Sequence, residues 1–564
     1  MKKKSFTLIL WLILLLAFGL RFYKLGSLLP LFGDEVDNGY NAYSILKTGK
    51  DVTGHFLPIF LKTLIDTKSS LLAYLTTIPV FFFGLNDLTI RIIPALVGVL
   101  SVVLVFLISL RLSANKLLAL SASFLMAITP WAIHFSRGVW EANLMLFLLL
   151  LGIWTLLKSS ENKNYFYLSA VSFGLSFYAY HSAKVLTPLI ILGIIIFFKE
   201  FFKRINKKTI ILSLVVFLLI ALPNFYAFLF AGGQERFSQT SLFKDSKIID
   251  QIVTKRGEDL TSPFSRFFHN KGEAYFNKMA ASYLESFSPQ FLFLYGDANF
   301  RHSSGASGEI LLICLPFFLI GLFIAFKERK KYQKFLIYCL LISPLPSIIT
   351  QDGGQHAIRL LFLLPVVLVI TALGFSHFVS WFEKEFKKSI QIIVYVLLIA
   401  FLIFELMAYA HQYFSHYPKE SWRYWPAGYK QAMLGVKKLE GNYKEVFINN
   451  SYEPSILWFL FWQQYPPEKF QKSLADLKNQ ENIFSGMDGF RLDKFYFFKI
   501  NQEGKQKGIL GMINDHPRAL FLVSQEKDVG GDWDWQKTPP GGIKVLEKIV
   551  NPYQQPIFYL VTHE

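Results

Sequence analysis

Charge is scarce in this 564-residue chain: 17% of residues are Asp, Glu, Lys or Arg, against about 25% in soluble domains. Acidic residues are the scarcer kind, 40 against 58 basic ones, for a formal net charge of +18. Cysteine is nearly absent. Cys314 and Cys339 both lie inside apolar runs, which excludes a disulfide framework and a Cys/His zinc motif and leaves two small packing residues. The chain lacks a Gly-rich phosphate loop, a Ser-His-Asp arrangement and a tandem repeat, so three common enzyme and repeat classes have no signature here. No small-residue cleavage pattern follows the basic and then apolar start, MKKKSFTLILWLILLLAFGL. That start is expected to be an uncleaved first span.

What is abundant is apolar surface: 53% of residues are hydrophobic and 17% aromatic. Apolar runs recur over the first three-quarters of the chain, as in a polytopic α-helical membrane protein. Spans are expected near residues 5–23, 90–112, 116–135, 141–157, 165–182, 184–198, 209–230, 308–326, 335–350, 358–379 and 390–409. The run 69–85 contains Pro79 and is short enough either to span or to lie along the interface. Charge bias decides. With 69–85 flat, the N-terminal lysines share a side with Arg111/Lys116, Lys158/Lys163, Lys199–Lys208, Lys327–Lys334 and Lys384–Lys388, as the positive-inside rule requires. Membrane topology therefore accounts for the basic charge, and nucleic acid is not an expected partner. About 11 transmembrane helices are expected, with the N-terminus cytoplasmic.

That orientation sends the loop 24–89, the loop 231–307 and everything after about residue 410 to the extracytoplasmic face. The division expected is a membrane domain, 1–410, and a C-terminal soluble α/β domain, 411–564. The latter mixes charges and carries candidate strands at Glu445–Asn449, Ala519–Ser524 and Pro556–Thr562. Its aromatics, among them Trp422, Tyr424, Trp425, Trp458, Trp462, Trp533 and Trp535, fit either core packing or stacking on sugars.

The stretch Leu31–Tyr43, LFGDEVDNGYNAY, follows the first span. Asp34 and Glu35 stand there at the edge of hydrocarbon, where poor hydration raises a carboxylate's basicity. The pair suits a general base, and it equally suits the N-terminus of a helix. The same face gathers Lys68, Arg91, Arg137, Glu141, Tyr180, His181, His302, His356 and Arg359. Singly, each reads as an interfacial residue or an ion pair within the bundle. As a set, a carboxylate pair facing several cations is what departure of a phosphate leaving group needs: a base for the acceptor hydroxyl and cations for the growing charge.

These residues resemble a family. FGDEVDNGYNAYSILKTGKD looks like the first external loop of GT-C-fold glycosyltransferases, nearest to glycosyltransferase family 39, which holds the protein O-mannosyltransferases and the aminoarabinose transferase of lipid A. Asp34-Glu35 matches the family's Asp-Glu motif. Lys68-Ser69-Ser70-Leu71 stands at its Lys/His-Pro-Pro-Leu motif, keeping the cation and losing both prolines. Phe83-Gly84 through Arg91-Ile92-Ile93-Pro94 and Ser136-Arg137…Glu141 resemble its later motifs, with Glu where Asp is common.

The resemblance implies an integral-membrane, inverting glycosyltransferase. It would move a sugar from a polyprenyl-phosphate donor to a hydroxyl on a protein, lipid or polysaccharide acceptor. Asp34 would be the base and Glu35 its neighbour, while Lys68, Arg137, Arg91 and Arg359 would hold the lipid phosphate. The family is mixed in its use of divalent cations. The acidic place beside the Lys is Thr67 here, so metal is left unassigned, with His181 and His302 as polar contributors. The alternative is a transporter or lipid flippase, which would show internal repeats and polar residues at the bilayer midplane. Neither is visible.

Overall fold

Long runs of Leu, Ile, Val and Phe without internal charge fold into helices, because backbone groups in hydrocarbon have to pair within their own segment. The computed structural model describes residues 3–64, 66–200, 205–230, 232–259, 264–305, 307–475, 489–499 and 508–564. Residues 201–204 of the expected basic loop, and parts of the loop 231–307, lie outside these. Among the described residues six helices are long and apolar enough to cross a membrane: Ser5–Phe22, Asp87–Ser113, Glu141–Lys158, Lys207–Phe230, Leu363–Glu385 and Lys388–Glu420. Lys116–Ile128 and Pro130–Ser136, bent by 56° at Thr129, make a seventh if counted as one span.

The remaining expected spans hold shorter helices, Asn164–Ala179, Ala183–Phe197, Cys314–Glu328 and Lys331–Ile342. The count of 11 therefore rests on helices of two lengths. The helix Leu71–Phe83, at 13 residues and about 1.5 Å per residue, covers less than the roughly 30 Å of a hydrocarbon core. Outward-facing apolar side chains such as Leu219, Phe230 and Phe404, each about two-thirds exposed or more, leave Lys207–Phe230 and Lys388–His411 with surfaces suited to lipid. The chain is a multi-pass membrane protein.

Two compact units form. The helical unit comprises Met1–Tyr23 and Pro94–Tyr413, and the second comprises Lys24–Ile93 and Phe414–Glu564. The boundary after Tyr413 falls three residues from the expected one at 410. The segment 24–93, expected within the membrane domain, instead packs with the C-terminal residues.

In the helical unit, Cys314–Glu328 packs along Leu363–Glu385. A Cβ on Gly321 would overlap the Ile370 carbonyl, and one on Gly374 would overlap the Phe317 carbonyl. Small residues let membrane helices meet backbone to backbone, where van der Waals packing substitutes for the missing hydrophobic drive. Cys314 and Cys339 are buried free thiols.

The second unit opens with a hairpin, β1 (Phe60–Lys62) against β2 (Thr67–Ser69). Its main sheet has six strands: β3 (Glu445–Asn449), β4 (Phe490–Leu492), β5 (Phe495–Phe498), β6 (Ala519–Ser524), β7 (Ile543–Val550) and β8 (Pro556–His563), in the order β4-β5-β3-β6-β8-β7. The pairs β3–β5 and β3–β6 are parallel and the others antiparallel. All six residues of β6, ALFLVS, are buried, as a continuous apolar run in a sheet covered on both faces should be. Phe447 and Phe521 stack at 4.8 Å within this core. Trp425, Trp458 and Trp535 are fully buried, so for these three the packing reading holds. Trp533 and Tyr424 remain more than two-fifths exposed. The helix Ser455–Gln463 packs on Gly33–Thr48, and the Tyr40 hydroxyl donates to the Tyr465 carbonyl at 2.8 Å.

The Gly321–Gly374 contact yields a test. Gly374→Val is expected to lower stability by about 1–3 kcal/mol, as overpacked sites do, read as an earlier thermal unfolding of the detergent-solubilised protein. Ala170→Val, at a half-buried position on the helix Asn164–Ala179 of the same unit, should change it less.

Candidate functional site

The helix Gly33–Thr48 begins with two carboxylates in its first turn, where the helix dipole favours negative charge. It ends at Gly49, whose φ of 70° is the left-handed conformation that glycine adopts freely. Residues three apart share a helix face, so Asp34 and Asp37 point the same way. The hairpin delivers Lys68 to that face. Its ammonium donates to Asp34 Oδ1 at 2.7 Å and Asp37 Oδ2 at 3.0 Å, with Asp66 Oδ1 3.9 Å away. Lys68 and Asp37 have 2% side-chain exposure, whereas Asp34 has 42%. One buried cation is therefore shared by a buried carboxylate and one that reaches solvent. Asn41 Nδ2 also donates to Asp37, at 3.2 Å, and its Oδ1 accepts the Val52 N–H at 2.9 Å.

Glu35 faces elsewhere. Its oxygens accept Arg91 Nε at 2.8 Å and Nη2 at 2.5 Å. Arg91 Nη1 donates to the Leu25 and Leu29 carbonyls, and Nη2 donates to that of Pro30. All five guanidinium N–H donors are thus taken within the protein. The expectation that Arg91 holds a phosphate is corrected on this geometry: it is a buried clamp on the chain before the helix. Glu35, fully buried, is its counter-ion and does not face an acceptor. The clamped segment 26–31 walls a cavity of about 530 Å³, which is also lined by Asp87, Lys430, Trp458 and Trp462 and does not include Asp34 or Lys68.

Asp37 is the residue that sequence reading missed. Burial pushes its carboxyl up to about 6, against the pull of Lys68. Its signal in the sequence is the i, i+3 spacing from Asp34, which the adjacent Asp-Glu motif masks.

The other expected residues belong to the helical unit. Arg137 Nη1 donates to the Leu20 and Arg21 carbonyls at 2.9 and 3.1 Å, placing a cation at the C-terminus of the first helix, and its guanidinium lies over the Tyr413 ring. Glu141 opens the helix Glu141–Lys158. Tyr180 ends Asn164–Ala179, and His181 Nδ1 lies 3.4 Å from Lys184 Nζ. Arg359 donates to Thr350 Oγ1 at 2.7 Å. His302 and His356 come together, with ring centroids 4.9 Å apart. Burial holds the His356 imidazole well below its usual range.

Known proteins resemble this chain in sequence and in fold. A family model described as dolichyl-phosphate-mannose-protein mannosyltransferase matches residues 67–226. The protein named "Putative mannosyltransferase YkcB" of Bacillus subtilis (strain 168) is 28% identical over 218 residues, 38% of this chain and 29% of that protein. ArnT from Cupriavidus metallidurans, solved bound to undecaprenyl phosphate, superposes with a TM-score of 0.54 at 10% identity, covering 99% of this chain and 98% of that one. The Archaeoglobus fulgidus oligosaccharyltransferase AglB, in complex with an inhibitory peptide and a dolichol-phosphate, gives 0.49 at 16% identity over 82% of this chain. This chain spans 64% of AglB's length, so it is short of two-thirds for both AglB and YkcB.

Two tests follow from the geometry. Arg91→Ala strands a buried carboxylate and is expected to destabilise by about 3–5 kcal/mol, whereas the double variant Arg91→Met/Glu35→Leu should recover much of that loss; chemical unfolding monitored by tryptophan fluorescence compares them. Asp37 holds its proton more tightly in the folded state than in the unfolded chain. Its contribution to stability is full below the ordinary carboxyl pKa of 3.8 and is lost as pH rises through about 6. Unfolding measured from pH 4 to 7 should therefore lose on the order of 2–3 kcal/mol of slope in Asp37→Asn relative to wild type.

By sequence over residues 67–226 and by fold along nearly its whole length, the chain resembles the GT-C-fold glycosyltransferases of the protein O-mannosyltransferase and aminoarabinose transferase kind.

Proposed function

We propose that the protein transfers a sugar from a polyprenyl-phosphate donor to a hydroxyl acceptor on the extracytoplasmic face of the membrane. The observation that carries this reading is the asymmetry around Lys68: Asp37 is buried on one side of the ammonium and Asp34 is open to solvent on the other. Asp34 acts as general base. Its carboxylate takes the acceptor's hydroxyl proton while that oxygen forms a bond to the anomeric carbon. The bond from that carbon to the phosphate oxygen breaks, and the phosphate leaves with the electron pair. A single displacement inverts the anomeric centre.

Lys68 serves this step in two ways. It orients Asp34 at 2.7 Å and places a positive charge beside the reacting atoms, where low dielectric makes it count for more than in water. Glu35 and Arg91 act at one remove, by fixing the first turn of the helix that presents Asp34. The mannosyltransferase family model over residues 67–226 and the fold shared with an undecaprenyl-phosphate-bound transferase support the donor class.

The test is transfer by the purified protein reconstituted with polyprenyl-phosphate sugars and a library of hydroxyl acceptors. Asp34→Asn should keep the unfolding temperature and lose about 10²–10⁴ in turnover, the usual share of a general base. Undiminished transfer by that variant would sink the base assignment. Movement of lipid across the bilayer without any glycosidic bond formed by the wild type would favour the flippase reading instead.

A further inference from the structure

The helical unit contains a second constellation that glycosyl transfer by Asp34 does not use. Asp297, His302 and His356 each offer one ligand atom, and these atoms all lie within 4.8 Å of one another. The loop that follows the turn of π-helix Gln290–Leu294 folds back tightly at Gly296, with φ 75°. Asp297 is fixed from several sides. Its backbone N–H donates to Glu309 Oε1 at 3.0 Å, its Oδ1 accepts the Asn299 N–H at 2.9 Å, and its Oδ2 accepts the Ala357 N–H at 3.0 Å. His302 Nδ1 sits 2.8 Å from the same Oδ2. His302 is held edge-on against Trp140, with ring centroids 5.8 Å apart. The Nδ1 of His356 is buried and has no hydrogen-bond partner.

A buried imidazole nitrogen that meets no protein partner is open to a metal ion. Buried ring nitrogens otherwise find a donor or acceptor, because leaving one unmet costs about 1–3 kcal/mol. Here the unmet nitrogen belongs to a residue whose two neighbours present a carboxylate and a second imidazole. We propose that Asp297, His302 and His356 bind one divalent transition-metal ion of the Zn²⁺ class. Two imidazoles and one carboxylate select borderline ions over Mg²⁺ and Ca²⁺, which take oxygen ligands almost exclusively. Bonds of about 2.0–2.2 Å set tetrahedral ligand atoms roughly 3.5 Å apart. An ion would draw His356 inward and separate Asp297 from His302. The backbone N–H groups of Ala357 and Asn299 orient the carboxylate as outer-shell partners do.

Three protein ligands leave a coordination position for water or an anionic oxygen, the pattern of catalytic rather than closed structural sites. Arg359, three residues from His356, opposes the ion electrostatically, and the buried Glu309 carboxyl holds the backbone N–H of Asp297 in place. The site joins the loop after residue 296 to the segment 356–359 within one unit. It stands or falls independently of the Asp34 chemistry.

The full-length protein, stripped with EDTA in detergent and desalted after addition of Zn²⁺ alone, is expected to retain one zinc per chain by elemental analysis. Its unfolding temperature should rise with zinc concentration, as a ligand of the folded state requires, and Mg²⁺ should produce no such rise. His356→Ala removes no existing hydrogen bond of the ring's orphaned nitrogen, so it should fold and should lose affinity by at least the roughly 10–100-fold that outer-shell changes already produce. Asp297→Asn should lose it similarly. Failure of the wild type to retain zinc, retention by His356→Ala equal to wild type, or an equal response to Mg²⁺ would each overturn the proposal.

Discussion

The second unit's candidate site depends on one buried guanidinium. Arg91 gathers the carbonyls of Leu25, Leu29 and Pro30 and closes on Glu35. A charge removed from water is tolerated only where every donor finds an acceptor, and that demand dictates the course of the chain from 25 to 35. The helix starts at Gly33, which puts Glu35 in its first turn, where it meets Arg91. Asp34, one residue earlier, is thereby turned away from Arg91. Glu35 and Asp34 are neighbours in sequence with opposite environments, one fully buried and one half open.

The hairpin answers a second constraint. A lysine ammonium at 2% exposure has to be matched by acceptors at close range. Antiparallel pairing of Lys68 with Leu61 holds the side chain at the face where Asp34 and Asp37 emerge. The Asp51 carboxylate, buried and accepting the N–H groups of Thr53, His55 and Lys62, ties the preceding loop to the same hairpin. The segment between the helix Gly33–Thr48 and Leu71–Phe83 is thus ordered by polar contacts together with a small apolar cluster of Ile45, Leu61 and Ala73.

Much of this was legible from residue order. Each expected span holds helix, because a long apolar run constrains its own conformation. Three strands of the main sheet stood out through Val, Ile and Phe enrichment: β3, β6 and β8. The short β4 and β5 and the charged β7, IKVLEKIV, did not, since their conformation is imposed by neighbours distant in sequence. The same limit explains the errors of assignment. Arg91 fits a phosphate-holding cation as well as an ion pair when taken from sequence, because its four partners lie 56 to 66 residues away. Asp297 went unnoticed because nothing near it in sequence marks it as a neighbour of the distant His356. The attachment of 24–93 to the C-terminal residues is likewise a matter of tertiary packing. Asp37 was the exception, readable from helix spacing alone.

The sharing of Lys68 between two acids bears on charge balance in the proposed transfer. Were the ammonium matched by Asp34 alone, neutralising that carboxylate would leave a bare cation in a nearly dry environment. With Asp37 as a standing counterion, the cluster can gain and release a proton at its solvent end while its interior end stays compensated. The helix face is thus electrically buffered, and its shape need not change as its outer member switches between charged and neutral.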